Sequence, residues 1–156
     1  MSSAPRTPLE PRPLALGQQV KVAGSFGPSG FRAQRVRCKP SSGKVIWEGA
    51  LEGLEPAERA LRVFGRRVEL PDDAVVKDLE RDTIRLEELR VGDMVRLKGS
   101  WDAERGFQPK SVKRKQAFGF ALEEIQGRIA ALGPDRSELE VAGIRVQLLD
   151  STVIEP

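Results

Sequence analysis

The chain has 156 residues, 39% of them hydrophobic, with a formal charge of +3, which suffices for the core of one ordinary domain or two small ones. It contains no His and a single Cys38, which removes Ser-His and Cys-His nucleophile pairs, the commonest zinc ligand and any intramolecular disulfide framework. No apolar run approaches the ~20 residues of a membrane-spanning helix.

Met1 to Pro13 is rich in Pro and Ser and has no apolar stretch of the kind that marks a signal peptide. A disordered tail and a cytoplasmic location are expected, with an exported or envelope location left open. Gly17 to Ser25 alternates as a half-buried strand, with Val20 and Val22 on one face and Lys21 and Ala23 on the other. Gly27-Pro28-Ser29-Gly30 is a turn. Phe31 to Lys39 is a second strand, with Val36 and Cys38 on one face and Arg35, Arg37 and Lys39 on the other. This pattern makes Cys38 a small buried hydrophobe rather than a nucleophile. Pro40 to Gly43 is a linker. Its Ser41-x-x-Lys44 spells the serine-acylation tetrad without any companion motif.

Val45 to Gly53 reads as a strand, and Ala60 to Phe64 with Arg67 to Leu70 as a hairpin around Gly65-Arg66. Asp82 to Arg90 reads as a short helix capped by Asp82, with Ile84, Leu86 and Leu89 as its apolar contacts. Met94 to Gly99 is a strand, Trp101 to Arg105 a polar loop, and Phe107 to Lys115 a closing strand. Phe118-Gly119-Phe120 is a connector. From Ile125 the chain gives a strand, a turn at Gly133-Pro134-Asp135, a hairpin around Ala142-Gly143 and a last strand from Ile144 to Leu149.

These pieces repeat. Trp47 to Lys77 returns at Ile125 to Glu155 with an offset of 78 residues, so that Gly49, Leu54, Pro56, Leu61, Val63, Gly65, Val68 and Leu70 meet Gly127, Leu132, Pro134, Leu139, Val141, Gly143, Val146 and Leu148. Leu16 to Phe26 likewise pre-echoes Val91 to Trp101, and Gly30-Phe31 pre-echoes Gly106-Phe107. The middle stretch, 45–115, holds a whole unit, whereas each flank holds one half. Neither flanking half can close a barrel alone, because each would leave strand edges and an apolar face unpaired. The expected architecture is mainly β: two small OB-like Greek-key barrels, one from residues 45–115 and one permuted from residues 14–39 plus 120–156. Residues 1–47 carry 8 Lys and Arg against 1 acid, 48–115 carry 15 against 15, and 116–156 carry 3 against 7. Attraction between the two ends agrees with that pairing, which could also occur between chains as a swapped assembly. The same asymmetry also fits nucleic-acid binding.

The series Gly49-Ala50-Leu51, Leu61-Arg62-Val63-Phe64-Gly65-Arg66-Arg67-Val68 and Gly92-Asp93-Met94-Val95-Arg96-Leu97-Lys98-Gly99 resembles a bacterial family of unknown function. Its members carry G-x-V, L-x-V-x-G-x-x-V and G-D-x-V-x-V-x-G motifs, often in tandem. The resemblance implies a small β-barrel and no catalytic residues.

Two functions fit. One is a non-catalytic adaptor that binds a protein partner or itself, with Phe118 and Phe120 as a candidate anchor. The other is a single-strand nucleic-acid binder using basic strands and loop aromatics. Its candidate residues are Phe26, Phe31, Trp101 and Phe107, with Lys21, Arg35, Arg37, Lys39, Arg96, Lys98, Lys113 and Lys115. The same aromatics would serve equally well as barrel plugs, and exposed strand cations as edge protection. Asp72, Asp73, Asp78, Glu80 and Asp82 form the one carboxylate cluster; it lacks EF-hand spacing and reads as a solvated turn. No enzyme activity, cofactor, metal or membrane span is expected.

Overall fold

The computed structural model describes residues 14–116, 122–135 and 137–155; the Met1–Pro13 tail and the Phe118-Phe120 connector lie outside them. The protein is mainly β. Its strands are β1 (Gln19–Gly27), β2 (Gly30–Cys38), β3 (Val45–Ala50), β4 (Gly53–Glu55), β5 (Ala60–Val63), β6 (Arg66–Glu69) and β7 (Val75–Lys77). They continue as β8 (Thr83–Ile84), β9 (Met94–Asp102), β10 (Gly106–Lys115), β11 (Glu123–Leu132), β12 (Glu138–Val141) and β13 (Ile144–Glu155).

The two terminal segments build one closed barrel. Its circuit runs β1-β2-β13-β12-β11 and back to β1, with β2 and β13 parallel and the other pairs antiparallel. Closure removes the open edges that either half would carry alone. In the middle unit, β3 pairs with β9, β9 with β10, and β10 in parallel with β7, while β4, β5 and β6 form a separate three-stranded sheet. Aligned by the repeat, β3 plus β4 corresponds to β11, β5 to β12, β6 plus β7 to β13, β9 to β1 and β10 to β2.

A further pairing joins the two units: β3 lies antiparallel to β11, with Trp47 opposite Ile125, Ile46 opposite Gln126 and Glu48 opposite Glu124. Trp47 and Ile125 are repeat equivalents, 78 residues apart. The pairing is therefore symmetric about that one residue pair, which defines an internal two-fold axis. A single apolar core runs through both units, including Val22, Phe31, Trp47, Phe64, Leu97, Ile125 and Val146.

Local chemistry explains the shape of the strands. Gly24 and Gly99 sit at bulges of β1–β2 and β9–β10, where a Cβ would lie 2.0 Å from the carbonyl oxygens of Arg32 and Gln108. Only glycine permits that approach, and the bulge bends each hairpin around its barrel. Phe64-Gly65 and Ala142-Gly143 all have positive φ (54°, 71°, 52° and 78°), the signature of a type I′ hairpin turn.

Four expectations need correction. Residues 45–115 do not close into a complete barrel: β4, β5 and β6 stand as a separate sheet, and only the short β7 pairs with β10. Asp82 to Arg90 is not a helix: Thr83–Ile84 is strand β8, paired with β7, and only Leu86–Glu88 makes a single 3₁₀ turn. Arg85 is extended (ψ 153°) and interrupts the helix, while Leu86 and Leu89 still bury themselves. The Trp101–Arg105 loop is shorter than expected. Strand β9 continues through Trp101 to Asp102, whose Oδ1 accepts the backbone N–H groups of Glu104 and Arg105. The Val45–Gly53 strand breaks after Ala50, where Leu51 turns inward and donates its N–H to Asp93 O at 2.8 Å.

Deleting residues 1–40 removes β1 and β2 and leaves β11 and β13 with bare edges. Hydrogen exchange on that truncated chain should show loss of protection across Ile125–Ile154. Retained protection there would contradict the shared-barrel topology.

Candidate anion-binding face

The aromatic residues singled out from the sequence converge, but on the junction between the units rather than on a ligand face. Phe31 is fully buried and meets Phe64 edge-on at 5.6 Å; Phe107 is buried against Trp47 at 4.9 Å. Phe26 is half-buried, 5.6 Å from Phe64, with its ring over Gly65 of the other unit. Trp101 answers it from the opposite side, with its ring over Gly143. Each hairpin aromatic thus covers the partner unit's turn glycine, an exchange that follows from the two-fold axis. Phe31 is fully buried and Phe107 nearly so; Trp101 keeps 46% of its surface exposed.

The cations separate into two groups. Lys21 lies 3.4 Å from Glu124, and Arg96 lies 3.7 Å from Glu48. These pairs offset the like-charge contact of Glu48 opposite Glu124 at the axis. Arg35 and Arg37 share Glu155, at 3.9 and 3.1 Å. Lys39, Lys98, Lys113 and Lys115 have no ion pair among the described residues.

The repeat itself supplies the comparison that interprets this division. Arg37 of the terminal barrel corresponds to Lys113 of the middle one, and Glu155 corresponds to Lys77. The registers match: Glu155 lies opposite Arg37, and Lys77 lies opposite Lys113. One barrel places a carboxylate beside its cation. The other places a second cation there, although like charges directly opposite destabilise a sheet. The Lys113 ammonium is held below the usual lysine range, first by partial desolvation, then by Arg81, Lys115 and Arg96, and least by Lys77.

The face is grooved. A cavity of about 200 Å³ is lined by Arg96, Lys98, Ser111, Lys113 and Lys115. It meets a shallow groove of about 580 Å³ that includes Lys44, Lys98, Lys110 and Ser111. Lys44 also lines a 260 Å³ pocket with Trp101 and Arg128. A basic track therefore runs from Lys77 and Lys113 past Lys98 and Lys44 to an exposed indole. Arg96 and Lys98 along β9, and Lys113 and Lys115 along β10, alternate about 7 Å apart, and neighbouring strands lie about 5 Å apart.

Lys44, Lys77, Arg81 and Lys110 escaped the sequence reading. Lys77 reaches the face only through the parallel β7–β10 pairing, which has no local sequence signature. Among the described residues, no group of His, Cys, Asp or Glu could hold a metal ion, and Asp78 Oδ1 is engaged by the N–H groups of Glu80 and Asp82. Cys38 is half-buried and accepts a hydrogen bond from Gln18 Nε2 at 2.9 Å. Ser41 is exposed, and no hydrogen bond joins its side chain to Lys44. No helix among the described residues is long and apolar enough to cross a membrane. No family model, curated protein or solved structure matches the chain.

Arg81, at φ 69°, suits Asn as well as Arg, so Arg81→Asn removes its charge without backbone strain. Side-chain NMR titration should then show the Lys113 ammonium moving up toward the ordinary lysine range. An unmoved titration would mean that Arg81 does not act on Lys113.

Proposed function

We propose that this protein is a non-catalytic binding module whose middle barrel holds an extended polyanion, a single strand of nucleic acid, on the basic face of β7, β9 and β10. The observation that carries this reading is the uncompensated cluster around Lys113, set against its neutralised counterpart at Arg37 and Glu155. A fold keeps like charges together at a cost to stability, and an anion seated among them offsets that cost. The groove is open and runs along the strands, which suits a chain-like anion better than a compact one. Trp101 at its end offers one exposed ring for base stacking, worth about 1–3 kcal/mol.

The strand circuit of the terminal barrel, with β13 and β2 parallel, supports an OB-fold reading of both units. Here the ligand face differs from the sequence-based expectation. Phe26, Phe31 and Phe107 serve the junction, and Lys21, Arg35, Arg37 and Arg96 serve ion pairs. Lys98, Lys113 and Lys115, with Lys44, Lys77, Arg81 and Lys110, serve the ligand. The absence of His from the sequence supports a module without catalysis.

Short single-stranded oligonucleotides should quench Trp101 at low salt, since Trp47 is buried. A strand neutralised at about five phosphates gives a slope of log K against log salt of about −3.5. The double variant Lys98→Gln with Lys113→Gln should weaken binding at least about tenfold and flatten that slope. Absence of quenching at low salt, or binding indifferent to both substitutions, would overturn the reading.

A further inference from the structure

The middle barrel has an opening that the terminal barrel lacks. In the terminal barrel the third and fifth strands pair at both ends: Val146, Gln147 and Leu148 lie opposite Phe31, Arg32 and Ala33, and Val153 to Glu155 lie opposite Arg35 to Arg37. In the middle barrel only the second half of that ladder exists, with Val75 to Lys77 opposite Ser111 to Lys113. Strand β6 is the edge of its three-stranded sheet, and the start of β10 is paired only with β9. Two strand edges therefore face one another across a cleft of about 550 Å³.

Two substitutions between the repeats account for the opening. Thr152 of the terminal barrel donates its hydroxyl to Ala33 O at 2.6 Å, pinning the third strand to the fifth. Its counterpart is Ala74, which has no hydroxyl. Ala33 itself corresponds to Pro109, which has no N–H to give to a ladder. A proline inside a strand belongs where that side is left unpaired. In addition, Leu70 N and Arg59 Nη2 hold the far end of β6 toward β5, through Arg59 O at 2.7 Å and Pro71 O at 3.4 Å.

We infer that this cleft receives an extended acidic peptide segment of a partner protein, which adds as a strand between β6 and β10. Main-chain hydrogen bonds to an exposed sheet edge supply affinity in this mode, and side-chain pockets supply selectivity. The floor is apolar, formed by Trp47, Val68 and Phe107, with the half-exposed Trp101 as a wall. The rim carries Arg66 and Arg105, both exposed and without an ion pair among the described residues, whereas Arg67 is engaged by Glu55, Glu58 and Glu69. Carboxylates on the peptide complement those two exposed guanidinium groups. The residues 1–13 of this chain do not fit, since they carry Pro5, Pro8, Pro11 and Pro13 and only one acid.

The probe is a short peptide alternating valine and glutamate, together with the same peptide N-methylated along its backbone. The first should bind the full chain and slow amide exchange in β6 and at the start of β10. N-methylation should abolish this, and Arg66→Glu with Arg105→Glu should weaken it at least about tenfold. Closing the cleft with Pro109→Ala and Ala74→Thr should abolish peptide binding while leaving oligonucleotide binding at Lys113 intact, which separates this inference from the proposed function. Equal binding of the N-methylated peptide, protection confined to the Lys113 face, or undiminished binding by the closed variant would each overturn it.

Discussion

The antiparallel pairing of β3 with β11, centred on Trp47 opposite Ile125, is the constraint on which the rest of the molecule depends. It places equivalent residues of the two units face to face and turns a sequence repeat into a two-fold structure. The Trp47 indole N–H reaches across to Ala142 O at 3.1 Å, so the one polar atom of this buried ring is satisfied by the other unit. Phe64 then gathers Phe26, Phe31 and Trp47 within 5.6 to 5.8 Å. Such aromatic pairs each add about 0.5–1.5 kcal/mol beyond the area they bury. Phe26 and Phe31 of the first hairpin are committed here.

Duplication gives the molecule its own internal control. The two barrels share strand order, bulges and hairpin turns, so their differences stand out against a common background. Three differences fall on the middle barrel: Lys77 for Glu155, Ala74 for Thr152, and Pro109 for Ala33. The first leaves a cation row unneutralised, and the other two leave a ladder unfinished. Both depart from what stability alone favours, and they meet at Trp101, which borders the basic track and the cleft alike. The terminal barrel is closed and paired at these positions.

Much of the fold was legible because the repeat constrains it. Val20, Val22, Leu61, Val63, Val68, Val146 and their counterparts fall where alternation puts them, on buried faces. Pairing of the terminal halves followed from what each half lacked. The Asp82–Arg90 segment misled because Ile84, Leu86 and Leu89 satisfy a helix and a strand-plus-turn equally well over so short a span. The site was less legible for a different reason. Alternation shows that Lys113 and Arg37 point outward, but their neighbours come from a parallel strand remote in sequence. Lys77 and Glu155 decide whether each cation is free, and that depends on register across β7–β10 and β2–β13.

The substitution Lys77→Glu recreates in the middle barrel the ion pair that Glu155 makes with Arg37. Its thermal unfolding midpoint and its affinity for a single-stranded oligonucleotide, measured on the same sample, address the central claim directly. The account predicts a higher midpoint with binding weakened at least about tenfold, since one cation is lost and another is neutralised. Unchanged affinity, or a lower midpoint with the fold intact, would contradict it.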